Sequence, residues 1–157
     1  MAVLKATCDD RMAAYVDGVY QFAANLDIYN VQSTVIIPHK FKVIAIQCVN
    51  IGGGEGLLAS VEDYFGKLVL LSDTTWKCSQ VFEEGWEQAT FNASSGNWKN
   101  AINVGPKPWS LKGQFFSYAS WIWTEERVNT VYCRAEMPWK RGFHHYYTTS
   151  RREIYHS

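Results

Sequence analysis

Neither sign of charge is in excess in this sequence, because 15 Lys and Arg residues balance 15 Asp and Glu residues. A dedicated nucleic-acid-binding domain carries a basic surplus, so the balance argues against nucleic acid as a partner. No apolar run approaches the length of a membrane-spanning helix, and we expect no membrane insertion. The opening segment Met1–Lys5 lacks the long apolar centre of a signal peptide, so a secreted and a cytoplasmic location both stay open at this point.

Familiar catalytic and metal-binding signatures are also missing. The sequence contains no Gly-x-Ser-x-Gly, no Walker loop, no Cys-x-x-Cys and no His-rich metal spacing. Glu83, Glu84 and Glu87 lie close together on a Gly-rich stretch, whereas glycoside hydrolysis needs a pair of carboxylates that flank the scissile bond. We interpret these three residues as a solvated surface and predict that the chain is not an enzyme.

What the sequence does contain is a set of short apolar segments separated by Gly, Asn and Asp, without a long amphipathic helix. Asp17-Gly18 between two alternating segments indicates a β-hairpin. The segment Phe41–Asn50 has apolar residues on both faces, which is typical of a central strand in a layered structure. Many short strands at regular spacing predict an all-β fold, a β-sandwich or jelly roll.

Two local predictions follow from the same patterns. Leu4–Gly18 reads as one continuous strand up to the hairpin turn. The Gly-, Asn- and Ser-rich stretch 83–108 is long for a loop, so we expect it to hold a short helix or two and to pack through its Trp side chains, among them Trp86 and Trp98.

The chain divides into a sandwich over 1–138 and a C-terminal extension over 139–157. The extension is basic and aromatic, with four cations and one anion after position 139. Two arrangements fit this composition, one in which the extension lies on its own domain and one in which it pairs with a neighbouring subunit's sheet edge. The second arrangement predicts a homo-oligomer.

The order of short motifs along the chain resembles the galactose-binding-domain-like β-sandwich. It is most similar to the non-catalytic carbohydrate-binding modules of bacterial α-L-rhamnosidases and to related lectin-like domains of invertebrates. The resemblance covers roughly Ala2 to Glu136. The motifs that carry it are an Asp-Asp strand ending in Tyr-Val-Asp-Gly, then Val-Ile-Ala-Ile-x-Cys-Val-Asn, Leu-Leu-Ala-Ser, Ser-Asp-Thr-Thr-Trp-Lys, Gly-Trp-Glu-Gln-Ala-Thr-Phe, Asn-Trp-Lys-Asn-Ala, Ala-Ser-Trp-Ile-Trp-Thr and Val-Tyr-Cys-Arg.

The resemblance implies a sugar site at one end of the sandwich. Polar residues that open the first long strand, here Asp9 and Asp10, meet an Asn that closes the middle strand, here Asn50. An aromatic residue from the loop after the first hairpin completes the pocket, and Tyr29 is the candidate. Carboxylates and amides would bind sugar hydroxyls, and the ring would cover the apolar sugar face.

The predicted function is therefore that of a lectin, which binds carbohydrate or glycoconjugates without a cofactor. Asp9 and Asp10 together could also hold Ca²⁺ with backbone carbonyls. Should Asp10 not take part in sugar binding, the next candidate is the loop around Trp98. The alternative is a structural or protein-interaction sandwich in which Asp9, Asp10 and Asn50 cap the backbone instead.

The resemblance also implies how the four cysteines pair. It places Cys8 and Cys48 at the same end of the sandwich, and it places Cys78 and Cys133 on strands where the bacterial relatives carry apolar residues. If the cysteines are oxidised, the expected bridges are therefore Cys8–Cys48 and Cys78–Cys133, and if they are not, the four are buried thiols. Together with the lectin interpretation, the bridges favour an extracellular, secreted protein.

One further motif, Asn92-Ala93-Ser94, fits the pattern of an N-glycosylation acceptor. Such triplets occur often by chance. The motif predicts only that this part of the chain is exposed.

Overall fold

The computed structural model describes residues 1–24, 33–94, 96–106 and 119–137. These residues form no helix and twelve strands. The strands are β1 (Ala2–Asp9), β2 (Arg11–Val16), β3 (Val19–Ala24), β4 (Ser33–Ile37), β5 (Val43–Val49), β6 (Gly56–Asp63), β7 (Leu68–Leu71), β8 (Lys77–Ser79), β9 (Lys99–Asn100), β10 (Ile102–Asn103), β11 (Ile122–Trp123) and β12 (Thr130–Glu136).

The strands make two antiparallel sheets that pack as a β-sandwich, which confirms the predicted fold class. The first sheet has the order β10-β11-β6-β1-β4, with β7 also paired to β6. The second sheet has the order β3-β2-β5-β12-β8-β9. Alternate residues of both sheets are buried in one shared core, for example Leu4 of β1, Leu57 of β6 and Ile46 of β5.

The chain crosses from one sheet to the other at Asp10, so the prediction of one continuous strand over Leu4–Gly18 was wrong. Asp9 is the last residue of β1 to pair with β6, whereas the backbone N–H of Asp10 donates to the carbonyl of Val49 in the second sheet, at 2.7 Å. The alternating pattern continues through the break because β1 and β2 face the same core from opposite sides. A single strand could supply only one of these two walls.

The hairpin at Asp17-Gly18 is present as predicted. Both residues have positive φ, 50° and 80°, as a tight two-residue turn between antiparallel strands requires. The Asp17 carboxylate also accepts hydrogen bonds from the backbone N–H groups of Lys42 and Val43, both at 2.8 Å. This side chain therefore fixes the turn against the start of β5.

The prediction of a short helix within 83–108 was wrong, because residues 83–94 and 96–106 form turns and two short strands and no helix. Single backbone bonds close successive turns, including Trp86 N–H to Glu83 O at 3.1 Å. Gly85 has a φ of 82°, a left-handed conformation that ends any right-handed helix at that point. The predicted packing is confirmed, because Trp86 and Trp98 are buried beside Ala45.

This segment and the outer face of the second sheet form a separate apolar cluster, which we call the outer aromatic cluster. Its buried members are Ala45, Trp86, Ala93 and Trp98, with Tyr15, Phe91 and Tyr132 packed against them. The cluster explains why β5 is apolar on both faces. One face of β5 contributes to the core between the sheets, and the other carries the outer aromatic cluster.

Arg134 of β12 ties this segment to the sheet. Its side chain is buried and donates to the carbonyl of Gln88 at 2.8 Å and to the carboxylate of Glu136 at 2.6 Å. Its guanidinium also lies over the ring of Phe91, 5.4 Å from the ring centre. Burial lowers the pKa of Arg134 below its usual value, and the nearby carboxylate of Glu136 opposes that shift.

Both expected disulfides are present. Cys8–Cys48 joins β1 to β5 and so links the two sheets, while Cys78–Cys133 joins two residues that lie directly opposite each other on β8 and β12. Two disulfides are compatible with an extracellular protein. The described part of the chain contains no helix long and apolar enough to cross a membrane.

Candidate functional site

The sequence predicted a sugar site from Asp9, Asp10, Asn50 and Tyr29. The structure places the first three at one end of the sandwich, where β1 gives way to β2 and β5 ends. Asp9 and Asp10 are buried, with 4% and 6% of their surface exposed, and the peptide bond between them is cis. Tyr29 lies outside the described residues, as does the extension 139–157.

The side chains of Asp10 and Asn50 bond to the backbone. The Asp10 carboxylate accepts from the N–H of Ile51 at 2.6 Å. The Asn50 side chain accepts from the N–H of Gly52 at 3.1 Å and donates to the carbonyl of Gly53 at 3.4 Å. Asp10 and Asn50 therefore hold the 51–53 loop in place, and their role toward a sugar stays a prediction.

Calcium binding by Asp9 and Asp10 also stays a prediction. Ca²⁺ needs six to eight oxygen ligands. Among residues 1–24, 33–94, 96–106 and 119–137, no three His, Cys, Asp or Glu side chains group together as metal ligands.

A second polar region lies beside Trp98 and forms an open cavity of about 280 Å³, which we call the Trp98-loop cavity. Three separate segments of the chain build it. These are the end of β8, the stretch that runs into β9, and the turn after β11. Its lining residues are Cys78, Gln80, Val81, Gly96, Asn97, Lys99, Asn100, Thr124, Glu125 and Glu126.

Hydrogen bonds fix the loop that forms one wall of this cavity. The carboxylate of Glu83 accepts from the indole N–H of Trp98 at 3.0 Å and from the amide of Asn97 at 3.2 Å. The ammonium of Lys77 donates to Oδ1 of Asn100 at 2.6 Å. The Trp98 ring itself is buried in the outer aromatic cluster, so the wall is anchored to the body of the protein.

The opposite wall includes a buried hydroxyl. Thr124 is 8% exposed, and its Oγ1 has no hydrogen-bond partner within the described residues. Leaving a buried polar group unpaired costs about 1–3 kcal/mol, so such a group needs an explanation. Thr124 lines the cavity, but its Oγ1 has less than 1 Å² of accessible surface, so this hydroxyl lies behind the cavity wall and does not face a molecule bound there.

The cavity offers a mixed set of polar groups. Asn97 and Asn100 provide amides, Glu125 a carboxylate and Lys99 an ammonium group, all on exposed side chains. Val81, which is 49% exposed, supplies an apolar wall. The arrangement can therefore both donate to and accept from a neutral, hydroxyl-rich ligand.

Sequence reasoning found only part of this cavity. It named the loop around Trp98 as the second candidate but missed Gln80, Thr124 and Glu125. Nothing in the local sequence marks these residues, because they join the cavity only through the pairing of β8 with β9 and through the turn after β11.

Another cavity, of about 480 Å³, lies over the outer face of the second sheet, and we call it the Arg134 cavity. It shares no lining residue with the Trp98-loop cavity. It is lined by Thr75, Lys77, Thr90, Phe91, Asn92, Ala93, Ser94, Arg134 and Glu136. The Nε of Arg134 is buried without a partner in the described residues.

Comparisons with protein-family models, with curated proteins and with solved structures found no match to this chain. The described residues thus form a disulfide-bonded β-sandwich that carries the Trp98-loop cavity and the Arg134 cavity. The resemblance to the galactose-binding-domain-like family continues to rest on the sequence motifs.

Proposed function

We propose that this protein is an extracellular, non-catalytic carbohydrate-binding domain and that the Trp98-loop cavity holds the sugar. The observation that carries the proposal is an open cavity lined by exposed amides, carboxylates and an ammonium group beside the exposed side chain of Val81. A sugar hydroxyl can both donate and accept, so it can bond to these amides and carboxylates together.

The form of the cavity supports the same proposal. Glu83 and the buried Trp98 ring hold the loop before any ligand arrives, so little ordering entropy is lost on binding. Charges of both signs lie at the rim, in Lys99 and Glu126, which suits a neutral polar ligand better than an ion. Exposed Val81 can contact the C–H face of a sugar ring.

A second candidate function is that of a structural or protein-interaction domain, and two observations favour it. Asp10 and Asn50 bond to the backbone of the 51–53 loop, as expected of a sandwich that uses these residues for capping. At the tip of the β6–β7 hairpin, Tyr64 and Phe65 are 78% and 87% exposed, and aromatic side chains of this kind are enriched in protein interfaces.

A single site on a small domain binds weakly, and several sites on one assembly raise the apparent affinity by large factors. We therefore propose a homo-oligomer, with the extension 139–157 as the contact. Light scattering on the protein used for the binding tests measures the oligomer's mass, and a monomeric mass would contradict this part of the proposal.

The test is a glycan array followed by calorimetric titration of the sugars that bind, with and without Ca²⁺. Asn97→Ala and Asn100→Ala each remove one amide from the cavity, and we expect each to weaken binding about tenfold, the loss of one hydrogen bond. Gln21→Ala is the matched control, because it removes an amide from β3 at the opposite edge of the same sheet. Asp10→Asn tests the other end of the sandwich and keeps an acceptor for the N–H of Ile51.

The outcomes separate the alternatives. Binding that is weakened by both cavity substitutions and unchanged by Gln21→Ala and Asp10→Asn supports the proposed site. If only Asp10→Asn loses binding, and its melting temperature is unchanged, the protein still binds carbohydrate but the site lies at Asp9, Asp10 and Asn50. If no sugar binds under either condition, carbohydrate recognition is wrong and the protein-interaction function takes its place.

A further inference from the structure

The only Asn-x-Ser/Thr triplet in the 157 residues is Asn92-Ala93-Ser94. The structure orients its three residues in alternate directions. Asn92 and Ser94 are exposed, while Ala93 is 7% exposed and packs in the outer aromatic cluster with Trp86 and Trp98. The buried middle residue anchors the triplet to the body of the protein, so the Asn92 side chain is presented to solvent.

The triplet also forms a tight local turn. Oδ1 of Asn92 accepts one hydrogen bond from the backbone N–H of Ser94 at 2.9 Å and a second from the Ser94 hydroxyl at 2.5 Å. Asn commonly forms such turns with the residue two positions ahead. Here the turn holds the Ser94 hydroxyl against the amide of Asn92, and these are the two groups that define a glycosylation acceptor.

We propose that Asn92 is N-glycosylated when the protein passes through a secretory pathway. The compartment is supported by the two disulfides, which form in the same oxidising environment. In the transfer, Nδ2 of Asn92 forms a bond to the anomeric carbon of a lipid-diphosphate-linked oligosaccharide. The bond from that carbon to the diphosphate breaks, the lipid diphosphate leaves, and the amide gives up one proton.

The position of Asn92 determines what the glycan covers. Asn92 lines the Arg134 cavity together with Phe91 and Ser94, so an attached glycan begins at the rim of that cavity. The Trp98-loop cavity has no lining residue in common with it. We therefore expect the glycan to restrict access to the buried Arg134 and to leave the proposed sugar site open. The modification does not depend on the proposed function.

The experiment expresses the full chain behind a secretory leader in a eukaryotic cell line and analyses the secreted, disulfide-bonded protein by intact mass. Wild type is compared with Ser94→Ala, which removes only the hydroxyl, and with Ser94→Thr, which keeps it. Treatment with peptide N-glycosidase removes the glycan and converts the modified Asn92 to Asp, which peptide mapping locates.

We expect a heterogeneous added mass on wild type and on Ser94→Thr, its removal by the glycosidase, and Asp at position 92 afterwards. Ser94→Ala should be secreted with the unmodified mass. Secreted, disulfide-bonded wild type that carries no glycan at Asn92 would overturn the proposal. So would an equal glycan content in Ser94→Ala, because the acceptor would then lie elsewhere.

Discussion

Removal of either disulfide should destabilise the protein by about 4 kcal/mol. The cysteines of the two bridges are separated by 40 and 55 residues. In the chain-entropy relation, closing loops of these lengths lowers the entropy of the unfolded chain enough to stabilise the fold by about 3.9 and about 4.2 kcal/mol at 25 °C. A domain of this size is stable by only about 5–15 kcal/mol, so either loss is a large share of the total.

The two bridges differ in what they join in the folded state, and this difference makes the prediction informative. Cys8–Cys48 links the two sheets, whereas Cys78–Cys133 links two strands that already pair by backbone hydrogen bonds. If the bridges act mainly on the unfolded chain, the two losses should agree within about 1 kcal/mol. If they act mainly by holding the folded state together, loss of Cys8–Cys48, the bridge between the sheets, should lower the free energy of unfolding much more than loss of Cys78–Cys133.

The assay is equilibrium urea unfolding followed by Trp fluorescence, with linear extrapolation to water. The variants are Cys8→Ala/Cys48→Ala and Cys78→Ala/Cys133→Ala, with Ala chosen because all four side chains are buried. Wild type in reductant is the control and should lose the contribution of both bridges. A loss below about 1 kcal/mol for either pair would refute the reasoning, because it falls well short of the chain-entropy value.

Two further predictions concern the turn and the packing of the second sheet. Gly18→Ala should lower the free energy of unfolding by about 1–2 kcal/mol, because Gly18 has a φ of 80°. A new Cβ at this position would also meet the side chain of Gln88. Adding Gln88→Ala removes that contact, and a urea titration should show that most of the destabilisation remains. Trp86→Ala should lower the free energy of unfolding by about 3–5 kcal/mol, because this ring is buried in the outer aromatic cluster. The control is Tyr64→Ala, which removes an exposed ring and should change the free energy of unfolding by less than about 0.5 kcal/mol in the same titration. The first prediction would be contradicted if Gln88→Ala restored the full stability of the Gly18→Ala variant. The second would be contradicted if Trp86→Ala and Tyr64→Ala destabilised the protein equally.

The parts of the fold that the sequence predicted well are set by local chemistry. Asp17-Gly18 specifies a two-residue turn whatever surrounds it, and the apolar residues on both faces of Phe41–Asn50 mark a central strand. The break at Asp10 could not be predicted in the same way. Its cause is a hydrogen bond to Val49 and a capped N–H at Ile51, about forty residues further along the chain.

The site was harder to predict than the fold for the same reason. Asp10 and Asn50 do come to the same end of the sandwich, because both lie where strands end. Local sequence could not show that their polar atoms bond to the backbone there. The Trp98-loop cavity depends on three segments, 78–81, 96–100 and 124–126, that come together only in the folded chain.

The strand order also constrains how copies of this chain could join. Away from β3 and β4 the edge strands are short, because β9 in the second sheet and β10 in the first have two residues each, and β7, which pairs with β6 alone among the described strands, has four. So short an edge offers few unpaired backbone groups to a neighbouring molecule. The longer edge strands are β3 and β4, which lie side by side on the same flank of the sandwich. Backbone pairing between two copies would therefore use that flank and leave the Trp98-loop cavity, beside β9, facing away from the junction.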